Sequence, residues 1–303
     1  MDLRIDILAP QRDLLGECPL WDARTQSLYW IDGRAGIVRR HTPATGAGAQ
    51  WQLPQHIGAI ALCDSGRLLL ALEDDFQCLD PDTGTLSTLG VRVAHGADRM
   101  RLNDGRTDRN GRFVVGSMTL GRMAPEGALY QLGANGVRTL DTGIHVANGT
   151  CFSPDGRWLY FADSPTHQVR RYAYDPATGG IGPAEVLVDT RALGSVPDGA
   201  TVDAEGCLWV ALVQNGQLAR FTPDGRLERR IQLPVTFVTC PCFGGPGLDV
   251  IYLTSIRDSG NLLRSDHPDA GAVFAIHGTG VHGLEEARFA DSPSSASPKR
   301  TSP

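Results

Sequence analysis

FSPDGRWLYFADS, Phe152 to Ser164, reads as a tight turn on Pro154-Asp155-Gly156 followed by an apolar strand that stops at Asp163. Pro, Asp and Gly each suit a turn for a different backbone reason, and the Trp-Leu-Tyr-Phe run suits a strand. The pattern returns as LCDSGRLLLALED from Leu62, TDRNGRFVVGSM from Thr107 and VDAEGCLWVAL from Val202. Looser forms are LGECPLWDARTQSLYWID from Leu15 and FGGPGLDVIYLTS from Phe243, which makes six versions of one unit. Each is followed by a weaker second hairpin, such as VRRYAYDPATGGIGPAEVL from Val169 or LARFTPDGRLERRIQL from Leu218.

Four short strands recurring at about 40–50 residues are the signature of a propeller blade. The expected fold class is therefore all-β, a six-bladed β-propeller forming a single domain over residues 1–290. No stretch carries a long helical period, and Leu284 to Ala290 is too short for one. Leu3 to Leu8 is expected to complete the last blade, so that the ring closes without a free edge. Asp291 to Pro303, rich in Ser and Pro, is expected to be a disordered tail.

A chain of 303 residues with 41% apolar residues can bury a sizeable core. Its formal charge of −6 argues against a nucleic-acid or anionic-membrane surface, which needs a basic patch. Lys299 is the only lysine, which excludes Schiff-base chemistry and a P-loop. Neither a basic-then-apolar leader nor an apolar run of about 18 residues is present, so a cytoplasmic location without a membrane span is expected. The 7 cysteines contain no C-x-x-C and read as reduced thiols. Cys240-Pro-Cys242 reads as a buried thiol pair rather than a soft metal pair. The sequence has no H-E-x-x-H and no G-x-S-x-G, and its 8 histidines are scattered.

In a propeller the first strand of every blade lines the central channel, so equivalent positions converge at one mouth. Counting back four residues from Trp21 gives Glu17; the other copies give Gly58, Asn103, Asn148, Asp198 and Thr239. Glu17, Asn103, Asn148 and Asp198 carry oxygen donors. Taken singly, each reads as a turn residue; together they read as a hard-cation site suited to calcium, magnesium or manganese better than to a structural zinc. Arg101 stands two residues before Asn103. It either donates hydrogen bonds into the pocket or pairs with Asp104 or Asp108, and spacing leaves both open. Gly149 and Gly199 follow two of the donors, as a close backbone approach would require. His145 reads as structural or solvent-facing rather than as a pocket group. The segment 91–100 is either a lid or a surface loop, and Trp21, Trp30, Trp158 and Trp209 read as core.

GECPLW, RLNDG, ANGTCFSPDG and VPDGATVD, in that order, resemble the four signature segments of the senescence-marker-protein/gluconolactonase/regucalcin family, over the chain up to Ala290. The resemblance implies a bacterial-type sugar lactonase holding one divalent metal ion, whether calcium, magnesium, manganese, zinc or iron. It implies Glu17, Asn148 and Asp198 as metal ligands and Arg101 and Asn103 as substrate contacts; Asp198, a carboxylate next to that metal, is then the candidate general base. The expected partner is a small-molecule sugar lactone, and the expected state a monomer or weak homo-oligomer. An acidic pocket residue of some animal members has no counterpart in Met118 to Met123. Two rival readings are a non-catalytic calcium-binding or interaction propeller and a metal-dependent esterase or phosphotriesterase.

Overall fold

The turn that repeats in the sequence repeats in the backbone. Gly66, Gly111, Gly156 and Gly206 all take φ between +68° and +90° at the same turn position, the left-handed region glycine enters freely. In the two looser units Gln26 (φ +52°) and Leu248 (φ +53°) take the same place. The preceding aspartates accept backbone N–H groups and hold the turn: Asp22 from Arg24, Asp108 from Asn110, Asp155 from Arg157 and Asp203 from Glu205.

The computed structural model describes residues 2–260 and 262–291. Strand β1 (Arg4–Ile7) is followed by blade 1, made of β2 (Gly16–Asp22), β3 (Ser27–Asp32), β4 (Ile37–Thr42) and β5 (Ala47–Gln52). Blade 2 holds β6 (Ala59–Leu62), β7 (Leu68–Ala71), β8 (Asp75–Leu79) and β9 (Leu86–Arg92). Blade 3 holds β10 (Met100–Thr107), β11 (Phe113–Thr119), β12 (Gly127–Gly133) and β13 (Gly136–Ile144). Blade 4 holds β14 (Ala147–Phe152), β15 (Trp158–Asp163), β16 (Gln168–Tyr174) and β17 (Ile181–Asp189). Blade 5 holds β18 (Pro197–Val202), β19 (Leu208–Leu212), β20 (Gln217–Phe221) and β21 (Leu227–Gln232). Blade 6 is β22 (Val238–Gly244), β23 (Val250–Ser255), β24 (Phe274–His277) and, as its outermost strand, β1.

The six innermost strands pack on one another in turn, β2 on β6, β6 on β10, and so on until β22 returns to β2. The chain is therefore a six-bladed β-propeller, closed by the N-terminal strand as expected: Arg4 pairs with His277 and Ile7 with Phe274. Apolar side chains fill the wedges between blades, as where Tyr29, Leu69, Phe76 and Phe113 join blades 1 to 3. Trp30 and Trp209 are buried and give their indole N–H groups to buried carboxylates, Asp13 and Asp203. Each carboxylate is also paired with an arginine, Arg39 or Arg220, so its charge is matched. All seven cysteines are free and buried. Cys240 packs against Gly199, and Cys242 lies with Trp21 and Tyr252. No helix among the described residues is long and apolar enough to cross a membrane.

Residues 281–291 form a strap across the lower face. Ala204 N–H donates to His282, Gly283 N–H to Leu248 and Ala290 N–H to Gly111, while Phe289 and Leu62–Asp64 exchange bonds. Arg288 pairs with Asp22 and also donates to the Cys63 carbonyl. Asp291, which the sequence assigns to the tail, accepts from Ser65 and from Arg67 at 2.8 Å and so belongs to the strap. The rest of the expected tail, 292–303, lies outside the described residues.

Candidate metal centre at the channel mouth

Five of the six innermost strands carry a β-bulge at the register selected above. Pairing slips between Glu17 and Leu20 in β2, Leu102 and Gly105 in β10, and Asn148 and Cys151 in β14. It slips again between Pro197 and Ala200 in β18 and between Val238 and Pro241 in β22. A bulge leaves residues outside the ladder and re-aims their side chains. Pro19 sits inside one, where a missing N–H costs no ladder bond. Cys18 beside it takes φ +46°, an uncommon place for a residue with a Cβ.

Strand β6 keeps regular pairing. Its register position is Gly58, where a Cβ would stand 2.3 Å from the carbonyl oxygen of Leu102. Blade 3 thus approaches too closely for any side chain there. In β22 the position is Thr239, whose hydroxyl is spent on Gly16 O at 2.6 Å and on Thr254 at 2.8 Å. Geometry and hydrogen bonding remove these two positions, and Glu17, Asn103, Asn148 and Asp198 remain.

The two amides have committed their nitrogens. Asn148 Nδ2 donates to Ser164 Oγ at 2.9 Å; Asn103 Nδ2 donates to Ala147 O at 2.7 Å and, longer, to Asn148 Oδ1 at 3.3 Å. What each has left to offer is its oxygen. Among the described residues Glu17 and Asp198 have no ion pair. Burial first, then Asp198 and Asp104, hold the Glu17 carboxyl well above the usual carboxylate range, against weaker help from the Cys18 amide and Arg101. Burial and Asp104 push Asp198 up in the same way, opposed by the Gly199 amide. Carboxylates gathered out of water without a cation, flanked by amide oxygens, are the donor set a hard divalent ion takes. The residues present fit such an ion.

Asp104 is a site group whose placement the sequence does not show. It is buried, accepts the Thr150 N–H at 2.6 Å, and adds charge beneath Glu17 and Asp198. Arg101 pairs with neither Asp104 nor Asp108: its hydrogen bond goes to Leu102 O at 2.9 Å, while Asp108 pairs with Arg112. Burial pulls the Arg101 guanidinium below its usual range, offset by Glu17 and Glu73. His145 is structural, with Nδ1 at 2.9 Å from Asp163. Of the 91–100 segment, Val91 and Arg92 end β9 and Met100 begins β10. His95 anchors the loop between them through Nε2 to Glu73 O at 2.9 Å.

Two other groups of ligand-type side chains lie away from the axis, Cys63–Cys78–Asp291 and Asp203–Glu205–Cys207. Their carboxylates already serve Arg67 and Arg220.

Residues 15–257 match the family model described as SMP-30/Gluconolactonase/LRE-like region. The chain is 36% identical over 296 residues to a 6-deoxy-6-sulfogluconolactonase of Pseudomonas putida, covering 96% of this chain and 100% of that one. It is 30% identical to regucalcin of Homo sapiens, covering 95% and 99%. Among solved structures, a calcium-binding protein, regucalcin, from Agrobacterium tumefaciens superposes with a TM-score of 0.87 at 30% identity, covering 93% of this chain and 96% of that one. A luciferin-regenerating enzyme superposes equally well, at 0.87 and 28% identity, covering 95% and 100%.

Proposed function

The chain belongs to the SMP-30/gluconolactonase/LRE-like family, and from that premise we propose that its axial site hydrolyses a sugar-acid lactone to the open aldonic acid. The observation that carries the reading is the set of four oxygen-bearing side chains at one register, two of them carboxylates, Asp198 buried and Glu17 partly buried, that form no ion pair among the described residues. One divalent ion held by Glu17, Asn148 and Asp198 would supply Lewis-acid polarisation of the lactone carbonyl and acidify a bound water.

The remaining work falls to the chain's own groups. Asp198 takes a proton from the attacking water as its oxygen bonds to the lactone carbon, and returns it to the ring oxygen when the carbon–oxygen ring bond breaks. Asp198 is a modest base beside a cation, which suffices for a strained, reactive ester. Arg101 and Asn103 orient the sugar hydroxyls, and Arg101, with most of its five N–H donors uncommitted, steadies negative charge developing on the carbonyl oxygen.

The test is a panel of aldono-1,4- and 1,5-lactones, the 6-deoxy-6-sulfo lactone included, assayed after chelation and with several divalent ions added back. Spontaneous ring opening is subtracted. Turnover of at least one lactone supports the reading. Tight calcium binding with no turnover of any lactone would favour a binding protein instead, and turnover confined to apolar esters would favour an esterase.

A further inference from the structure

An amide ligand differs from a carboxylate in one respect: only one end of its side chain can bind a cation. To serve the mouth, Asn148 has to present Oδ1 there and send Nδ2 elsewhere. Its neighbours decide which end goes where. Ala147 O can only accept, so the Asn103 amide turns its Nδ2 to it, at 2.7 Å. That same Nδ2 lies 3.3 Å from Asn148 Oδ1, where a reversed Asn148 amide would set one NH2 group against another. The Asn148 Nδ2 points the other way and donates to Ser164 Oγ at 2.9 Å. A hydroxyl can accept as well as donate, so Ser164 takes the end of the amide that a cation cannot use.

Ser164 is itself firmly held. It is buried, 8% exposed, and opens the short 3-10 turn Ser164–Thr166 that follows β15. Its N–H donates to Val146 O at 3.2 Å, and its carbonyl accepts the His167 N–H at 3.0 Å. Pro165 stiffens the turn, and His167 ends it in the left-handed region at φ +60°. The carboxylate of Asp163, one residue earlier, accepts the His145 and Val146 N–H groups at 3.2 and 3.1 Å. It thereby ties the chain entering β14 to the chain leaving β15. Ladder pairing sets Ala147 opposite Asp163 and Asn148 opposite Ala162, so Ser164 stands diagonally across from Asn148.

We infer that Ser164 is a positioning residue for the cation: it holds the Asn148 amide with its oxygen towards the mouth before an ion binds. The inference rests on the reading of the mouth as the metal centre of a lactonase. Ser164 touches neither the ion nor the reacting atoms, and its effect is preorganisation. Without the hydroxyl, a buried N–H donor is left unpaired and the amide is free to turn away. Groups that orient a ligand from behind typically change metal affinity by about 10–100-fold.

The test is calorimetric titration of the chelator-stripped full chain with calcium, and separately with manganese, a readout that needs no turnover. Ser164→Ala is expected to weaken binding by about 10–100-fold. At saturating ion its kcat on the preferred lactone should return close to the wild-type value, because the bound ion then holds the amide itself. Thr166→Ala is the control: it removes a hydroxyl from the same turn that donates to Asp163 O at 2.7 Å, and should leave affinity unchanged. Asn148→Asp abolishes the difference between the two ends of the side chain, so in that background Ser164→Ala should cost far less affinity than in the wild type. Unchanged affinity in Ser164→Ala overturns the inference. An equal loss in Thr166→Ala, or an equal cost in both Asn148 backgrounds, also overturns it, because a merely structural hydroxyl would behave so. A kcat that stays low at saturating ion would put Ser164 in the chemistry and overturn the positioning role. Wild-type protein that binds neither ion overturns the inference and the metal centre together. Ion binding that depends on Ser164, with no aldonolactone turned over, leaves the inference standing and removes the lactonase reading.

Discussion

The two ends of the central channel solve the same electrostatic problem in opposite ways. At the base, Arg106 is buried, and Glu286 from the strap meets it at 3.0 Å while Ala200 O accepts a further bond at 3.3 Å. Charge there is matched by the chain itself, and the strap covers it. At the mouth, Glu17 and Asp198 raise one another's charge cost together with Asp104 and, among the described residues, form no ion pair, Arg101 giving Glu17 only weaker help. No arginine pairs with these carboxylates as Arg39 and Arg220 pair with Asp13 and Asp203. The difference separates a charge pair closed within the chain from a donor set that, on the proposed function, a cation would complete.

The largest expected effect breaks the mouth. Asp198→Asn and Glu17→Gln should each lower lactone hydrolysis by about 10³-fold or more. Circular dichroism should show the fold intact. In chelator-treated protein the same substitutions should raise the melting temperature, by roughly 2–4 °C per kcal/mol of repulsion removed. A fall instead would mean that these carboxylates stabilise the ring.

At the base the sign reverses. Glu286→Ala strands a buried guanidinium and should cost about 3–5 kcal/mol in urea unfolding. Replacing both partners, Arg106→Met with Glu286→Leu, should recover most of that loss, because an apolar pair of similar volume needs no solvation. Failure to recover would show that Arg106 does more than fill the channel floor.

A smaller effect concerns the end of the strap. Burial pushes Asp291 up, but hydrogen bonds from Ser65 and Arg67 outweigh it and hold its carboxyl below the usual range. A carboxylate depressed in the folded state contributes stability that is complete above its unfolded pKa and is lost as pH falls through the folded one. Amide exchange over 284–291 should therefore speed up on acidification below the ordinary Asp range, while exchange in β14 and β18 does not follow.

Much of this architecture is legible in the sequence because the turn is rewritten in every blade. Even where Gln26 and Leu248 replace glycine, the neighbouring strand pattern keeps the register, and the backbone angle is the same. Counting back four residues works for the mouth because innermost strands begin at equivalent points of the ring. It cannot say that Gly58 is dictated by the carbonyl of Leu102, or that the Thr239 hydroxyl is consumed by Gly16. Bulges leave no sequence mark, so strict alternation would turn Asp104 away from the group it charges, and nothing in Cys18 announces a left-handed residue. The strap is invisible for a different reason: it has no period, and its contacts join backbone atoms and single side chains as remote as Arg106 and Glu286.

On the proposed function, the mouth is completed by one cation and is catalytic only then. This is tested most directly by titrating chelator-stripped protein with a divalent ion while following hydrolysis of the preferred lactone. Activity should be absent at the start, rise with added ion and saturate at one equivalent per chain. Full activity in the stripped protein, or saturation unconnected to a single site, would contradict it.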